Sequence, residues 1–159
     1  MTIFTREKLS HQMVWPFGLL VLIGFFVMPA QALALDRFVD HADGTITDNR
    51  TGLMWAATDN GDPINWPSAL YYCQKYNGGG HTDWRMPTIA ELASLYDPEA
   101  VNLNGYHITR LITTSAQSCW ASETRGNLAA RFNFAHGDVY WLRQFYSGPT
   151  SVLPVRDRK

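Results

Sequence analysis

The sequence predicts an α+β domain in which two helices flank a mainly antiparallel sheet, with a short export segment in front. Short apolar runs bounded by turn residues occur near both ends of the domain, whereas apolar residues recur at helical spacing between residues 66 and 96. Strands followed by helices and then by further strands are typical of this class. The length of 159 residues suffices for one domain and a short appendage.

Composition excludes several classes of protein. With 46% hydrophobic and 17% charged residues, the chain differs from intrinsically disordered proteins. The 13 basic and 14 acidic side chains give a net charge of -1, so no basic excess exists to engage phosphates. We therefore expect no nucleic-acid partner.

The first 34 residues have the pattern of a secretory signal peptide. Arg6 and Lys8 precede an uncharged apolar run over residues 13–28, and small residues follow. Ala32 and Ala34 are both possible cleavage sites, and cleavage after Ala34 would leave residues 35–159 as a domain exported to the periplasm, the cell surface or the medium. Membrane contact would then be limited to the segment before cleavage. The alternative is a retained anchor, although the run is shorter than a typical spanning helix.

Three short strands open the domain, over residues 37–40, 45–48 and 53–56. Asp43-Gly44 is a strong hairpin signal between the first two strands. Turn residues at 49–52 separate the second strand from the third.

Two helices are predicted next. In the first, Trp66 and Cys73 mark the ends of an i, i+3, i+4, i+7 apolar stripe, with Asn65 as N-cap and a triple glycine at 78–80 as terminator. In the second, Thr88 and Glu91 have capping-box spacing, and Asp97-Pro98 ends the helix.

Residues 98–117 are polar and irregular, which predicts a long loop of the kind that often carries function. Strands resume over residues 118–122, 127–135, 139–143 and 151–156. In the second of these, four apolar side chains share one face: Leu128, Ala130, Phe132 and Phe134. Pro154 suggests an edge position for the last strand.

Cys73 and Cys119 are the chain's two cysteines, and both lie in the exported part. In an oxidising compartment an isolated pair more often forms a disulfide than a metal or catalytic site. We therefore expect a Cys73–Cys119 disulfide, with two free buried thiols as the alternative.

Several strings resemble the Lcl C-terminal domain family of bacterial exported proteins. They are Asp43-Gly44-Thr45-Ile46-Thr47-Asp48, Thr51-Gly52-Leu53-Met54-Trp55, Trp66 to Cys73, Asp83-Trp84-Arg85-Met86-Pro87-Thr88 with Glu91-Leu92, and Cys119-Trp120-Ala121-Ser122. The resemblance covers nearly all of residues 35–159. It implies a C-type-lectin-like fold, related to the formylglycine-generating enzyme superfamily, in which a long loop region often carries binding.

The resemblance also singles out residues of a structural motif, namely Trp55, Asp83, Trp84, Arg85, Pro87, Glu91 and Trp120. A functional interpretation makes Arg85 a carboxylate-binding group and Trp84 a platform for sugar stacking. We favour a structural one, in which Trp84 is buried and Arg85 is paired so that it fixes the turn between the helices. The family often has a cysteine where Pro154 stands, so Cys119 would have to replace it as partner of Cys73.

No catalytic or metal-binding pattern is present in the sequence. His81, His107 and His136 lack the spacing of zinc ligands, and no Gly-x-Ser-x-Gly string occurs. We therefore expect no catalytic residues, metal or cofactor. An enzyme of the formylglycine-generating type is kept as an alternative because a cysteine pair is present.

Aromatic residues suggest a recognition surface, because aromatic rings stack on sugars and dominate protein contacts. The candidate binding residues are Tyr106, His107, Tyr140, Trp141 and Tyr146. Tyr140 and Trp141 face opposite sides of a strand, so they cannot both be in the core. We expect a non-enzymatic module that recognises a glycan or a surface protein through the 98–117 loop and adjacent strands. The alternative is a structural subunit of an envelope or surface assembly.

Overall fold

Two antiparallel sheets and two helices build residues 36–158, the part of the chain that the structure, a computed structural model, describes. The predicted signal peptide lies outside these described residues. The elements are β1 Phe38–Asp40, β2 Thr45–Asp48, β3 Leu53–Ala56, α1 Trp66–Lys75, α2 Ile89–Leu95, β4 Ser118–Arg125, β5 Leu128–Asn133, β6 Asp138–Arg143 and β7 Val155–Asp157. The predicted α+β class is confirmed.

The first sheet has the strand order β1-β2-β3-β7, and the second has the order β4-β5-β6. β7 is the outermost strand of the first sheet and pairs with β3, for example Trp55 with Val155. Pro154 stands immediately before β7, so the donor that proline lacks is not needed within the strand. The edge position predicted for the last strand is confirmed.

Both helices begin at the predicted caps. The Asn65 side chain accepts a hydrogen bond from the Ser68 amide at 3.0 Å at the start of α1. At the start of α2, Thr88 and Glu91 form a complete capping box. These contacts are local in sequence, which is why their spacing predicts them.

Two hydrophobic clusters fix the layers. The larger one joins the first sheet, α2 and one face of the second sheet, and it includes Trp55, Leu92, Leu95, Ala130, Phe132 and Phe134. The smaller one joins α1 to the opposite face of the second sheet, and it includes Ala69, Cys73, Trp120, Ala129 and Val152. The β4-β5-β6 sheet is therefore a middle layer with α2 on one side and α1 on the other. The face predicted for Ala130, Phe132 and Phe134 is confirmed, whereas Leu128 at the start of β5 is only partly buried.

Candidate functional site

The long loop between α2 and β4 is organised by one buried side chain, Asn102. Its Oδ1 accepts hydrogen bonds from the amides of Asn104 and Tyr106, both at 3.0 Å. Its Nδ2 donates to the carbonyl of Ile112 at 3.3 Å. Because one amide ties three points of the loop together, the loop has a defined shape despite its lack of regular structure.

Tyr106 and His107 pack inward from this loop. The His107 amide donates to the Phe134 carbonyl at 2.9 Å. The His107 ring lies edge-on to Tyr96, with 5.8 Å between the ring centroids, and its Nδ1 lies 3.1 Å from the Ala100 carbonyl oxygen. Tyr106 is half-buried against the larger cluster. These two aromatic residues support the loop and do not form an exposed binding surface.

An open cleft of about 520 Å³ lies beside the loop. Its walls come from β1, the end of α2 and two stretches of the loop, and its lining consists of Arg37, Phe38, Leu95, Asp97, Glu99, Ala100, Val101, Thr109 and Arg110. Ligand sites in proteins usually have volumes of roughly 300–1,000 Å³. The cleft combines apolar surface with four charged side chains. The apolar surface can pack against the face of a ligand, and the charged side chains can form hydrogen bonds with its edge.

The two arginines that line the cleft differ in how many hydrogen bonds they already form within the protein. Arg37 holds the buried Asp48 carboxylate through two bonds of 3.2 and 3.0 Å and also donates to the Ser94 carbonyl at 2.6 Å. Burial raises the pKa of Asp48, but the hydrogen bonds from Arg37 and the Arg50 amide outweigh it and leave that pKa below its ordinary value. Arg110, by contrast, is exposed and uses only Nε, which donates to the Val101 carbonyl at 3.2 Å. Arg110 is the cation most available to a ligand in the cleft.

Tyr140, Trp141 and Tyr146 lie elsewhere. Trp141 faces the larger cluster and is covered by Arg125, whose Cζ lies 3.9 Å from the ring centroid. Tyr140 and Tyr146, 39% and 37% exposed, lie on the other side of the sheet. The structure therefore separates the five predicted binding residues into two groups instead of one aromatic surface.

Arg131 contacts both Tyr140 and Tyr146, and it is not among the binding residues predicted from the sequence. Its Cζ lies 5.5 Å from the Tyr140 ring centroid and 5.7 Å from that of Tyr146. The period-two pattern of β5 does contain a signal, since an arginine flanked by the core residues Ala130 and Phe132 must point away from the larger cluster. Its register opposite Tyr140 could not be read from spacing alone.

The Asp83-Trp84-Arg85 string forms contacts that hold the chain together between the helices. The Trp84 side chain is buried, and its Nε1 donates to the Gly78 carbonyl at 3.2 Å. Asp83 pairs with Arg156 through bonds of 2.6 and 3.1 Å. Arg85 grips Glu91 with two bonds of 2.9 and 2.7 Å.

The remaining motif residues are also buried or engaged. Trp55 and Trp120 are fully buried in the larger and the smaller cluster, and the Trp120 Nε1 donates to the Ile64 carbonyl at 2.7 Å. Pro87 is buried, and its carbonyl accepts from the Ser122 amide at 2.8 Å. Every contact described for this motif is internal to the fold, which is the arrangement that a structural interpretation expects.

The expected disulfide is absent from the structure, in which Cys73 and Cys119 are both free, buried thiols. Cys73 belongs to the smaller cluster and Cys119 to the larger one, since they lie in different layers of the core. The Cys119 Sγ lies 3.4 Å from the Ser151 Oγ. Burial raises the pKa of each thiol to about 12. A thiol with such a pKa is a poor nucleophile at neutral pH.

Neither a metal site nor a membrane span is found within residues 36–158. No group of three or more histidine, cysteine, aspartate or glutamate side chains there could hold a metal ion. None of the helices described is long and apolar enough to cross a bilayer.

Residues 44–156 match the family model described as the Lcl C-terminal domain. The match begins in the β1–β2 turn and ends in β7, so it includes every helix and strand described except β1, together with the long loop. A comparison with curated proteins gives no significant match.

Proposed function

The chain belongs to the Lcl C-terminal domain family, and from that premise we propose that it is an exported, non-enzymatic domain that binds a glycan in the cleft beside its long loop. The observation that carries the proposal is the cleft itself, with its volume of about 520 Å³ and its mixed charged and apolar lining. Sugars present hydroxyl groups at their edges and C–H groups on their faces, so such a lining is suited to them.

Two side chains would provide most of the polar contacts. Arg110 is exposed with both terminal amino groups available, and the exposed Glu99 lies on the same lining. A guanidinium donates to sugar oxygens, whereas a carboxylate accepts from sugar hydroxyls. Phe38 and Val101 supply apolar contact between them.

Three further observations support the export, the fold and the non-enzymatic character that we propose. The signal-peptide pattern of residues 1–34 supports export to the periplasm or the cell surface. The paired sheets, two helices and long loop are compatible with a C-type-lectin-like domain. Buried thiols with raised pKa values argue against an enzyme of the formylglycine-generating type, which would require a reactive thiol.

A glycan array probed with the processed chain, followed by calorimetric titration of the best ligand, tests the proposal. We expect Arg110→Ala to weaken binding about tenfold, which corresponds to the loss of one charged hydrogen bond. Arg143→Ala is the matched control, because Arg143 is exposed on β6 outside the cleft and changes the net charge equally. Absence of any glycan ligand, or equal losses in the two variants, would contradict the proposal.

A structural subunit of an envelope or surface assembly is the second candidate function, and the tip of the loop favours it. Leu103 is 82% exposed, and Val101 and Leu111 on the same loop are also exposed. Exposed apolar side chains grouped on a loop are typical of protein contacts. If they mediate assembly of copies of this chain, light scattering will show an oligomer that Leu103→Asp converts to a monomer. A wild-type monomer would count against assembly.

A further inference from the structure

The Arg131 side chain carries a charge that has no carboxylate partner. The ion pairs among residues 36–158 are Arg37–Asp48, Arg85–Glu91, Arg85–Asp157 and Arg156–Asp83. The Nη1 of Arg131 donates to the Thr150 Oγ1 at 2.8 Å, but its Nε is buried without a hydrogen-bond partner. Its Nη2 likewise has no protein partner and, unlike Nε, is not buried. One edge of the guanidinium is therefore unused.

A second group without a partner lies on the same face of the sheet. Ser118 in β4 is opposite Asn133, and Trp120 is opposite Arg131, so Ser118 and Arg131 are diagonal neighbours. The Ser118 Oγ is buried and has no hydrogen-bond partner. The Ser118 carbonyl accepts from the amide of Ser151, the residue after Thr150. Unpaired buried polar groups are rare in native proteins, so the hydrogen-bonding capacity of this face is not fully used within the domain.

The chemistry of these groups selects an oxyanion. A guanidinium has donors only, so its partner must be an acceptor, and a negative charge on that acceptor is favoured. Nη2 is the donor of this guanidinium that a ligand can reach, and it can form a charge-assisted hydrogen bond to a carboxylate oxygen. Asp138 is the nearest acidic neighbour along β6, but its Oδ2 lies 3.4 Å from the Tyr140 hydroxyl and it forms no ion pair with Arg131.

Two partly exposed tyrosine rings lie beside the Arg131 guanidinium, which favours a carboxylate ligand that also has a ring. Tyr140 and Tyr146 flank the guanidinium at similar distances, and both are partly exposed. Tyrosine rings pack against the C–H faces of sugars. We propose that Arg131, Tyr140 and Tyr146 form a binding site for the carboxylate group of an acidic sugar, a hexuronate. The site lies on the α1 side of the middle sheet, whereas the cleft beside the loop includes Leu95 of the larger cluster on the α2 side.

Titration of the full chain with three matched ligands tests this site. D-Galacturonate has both the carboxylate and the ring, D-galactose has the ring alone, and acetate has the carboxylate alone. We expect galacturonate to bind about tenfold more tightly than either of the others. Absence of galacturonate binding would overturn the proposal, as would equal affinity for galacturonate and acetate.

Single substitutions show where galacturonate binds. Tyr146→Ala should weaken galacturonate binding about threefold to tenfold, the range expected for one aromatic contact. Phe145→Ala is its control, because Phe145 is the adjacent aromatic residue, is 79% exposed and makes no ring contact with Arg131. Arg131→Gln should abolish binding, and since Arg131 also bonds to Thr150, its fold is checked by circular dichroism.

Two outcomes distinguish this site from the cleft. The Arg131 site requires Tyr146→Ala to weaken galacturonate binding more than Arg110→Ala does, since Arg110 lines the cleft on the other side of the sheet. If Arg110→Ala removes galacturonate binding while Tyr146→Ala does not, the Arg131 site is wrong and the cleft is the binding site.

Discussion

Arg85 is the side chain through which the second helix is tied to the last strand. It bonds to Glu91 at the start of α2 and to Asp157 in β7, the latter at 2.9 Å. Hydrogen bonds to Glu91 raise the pKa of Arg85 above its ordinary value. For Glu91, burial raises the pKa, but the bonds from Arg85 and Thr88 outweigh it and leave the pKa below its ordinary value of 4.5. Arg85 and Glu91 therefore connect the N-terminal cap of α2 to β7 at the edge of the first sheet.

We predict that Glu91→Gln lowers the free energy of unfolding at pH 7 by about 1.5 to 3 kcal/mol, the range for hydrogen bonds to charged groups. Because the folded-state pKa of Glu91 is depressed, its stabilisation is present above pH 4.5 and is lost as the pH falls through the folded pKa. The variant should therefore lose less stability than the wild type on acidification. Urea unfolding at several pH values between 3 and 7 measures this, and parallel profiles would contradict it.

The two thiols give a second prediction at this scale. Because Cys73 and Cys119 are buried and burial raises the pKa of each to about 12, neither should react with Ellman's reagent in the native protein. Both should react after denaturation without reductant. Rapid labelling of the native protein would revive the enzyme alternative, and no labelling after denaturation would show a disulfide.

At the scale of elements, the turn after α1 shows how closely the layers approach. Gly79 has φ +60°, and a Cβ there would lie 2.9 Å from the Thr45 Cγ2 and 3.1 Å from the Asp43 Oδ2. Gly80 has φ +74°, but a Cβ there would meet nothing within 4 Å. Substitution of Gly80 therefore tests backbone strain alone, whereas substitution of Gly79 tests backbone strain and steric overlap together.

We predict that Gly80→Ala costs about 1 to 2 kcal/mol, the strain of a left-handed conformation. Gly79→Ala should cost about 1 to 3 kcal/mol more, because the β1–β2 turn must shift to make room. Urea denaturation of both variants measures the difference. Equal losses would mean that the contact between this turn and Thr45 is easily relaxed.

Local elements could be predicted from the sequence, whereas the cleft could not. Asn65 and the pair Thr88–Glu91 act within three residues, so spacing alone predicts both helix starts. The cleft brings Arg37 near Arg110, and no periodic pattern encodes an approach between residues so distant in sequence. The disulfide could not be judged from the sequence for the same reason. The prediction was based on the presence of two cysteines, whereas in the fold these cysteines are free and belong to different clusters.

For the domain as a whole, the middle sheet couples the two clusters. Trp120 of β4 lies in the smaller cluster, while its neighbours Cys119 and Ala121 lie in the larger one. Because β4 contributes side chains to both clusters, loss of packing in either cluster disturbs a strand that the other one needs.

We predict that the two clusters unfold in one transition. Trp55 lies in the larger cluster and Trp120 in the smaller, so tryptophan fluorescence reports on both, and far-ultraviolet circular dichroism reports on the backbone. The two probes should give the same urea midpoint. A variant with both Trp66→Phe and Trp120→Phe removes the tryptophans that pack in the smaller cluster, and a midpoint for its fluorescence that differs from its dichroism would contradict coupling.

The place of β7 has a consequence for the order of events during biosynthesis. β3 is made early, but the strand beside it, Val155–Asp157, and the Arg85 partner Asp157 come about a hundred residues later. Until that segment leaves the ribosome, β3 has an open edge and Trp55 lacks its cross-strand neighbour Val155. The first sheet is therefore completed only after all three strands of the second sheet have been synthesised.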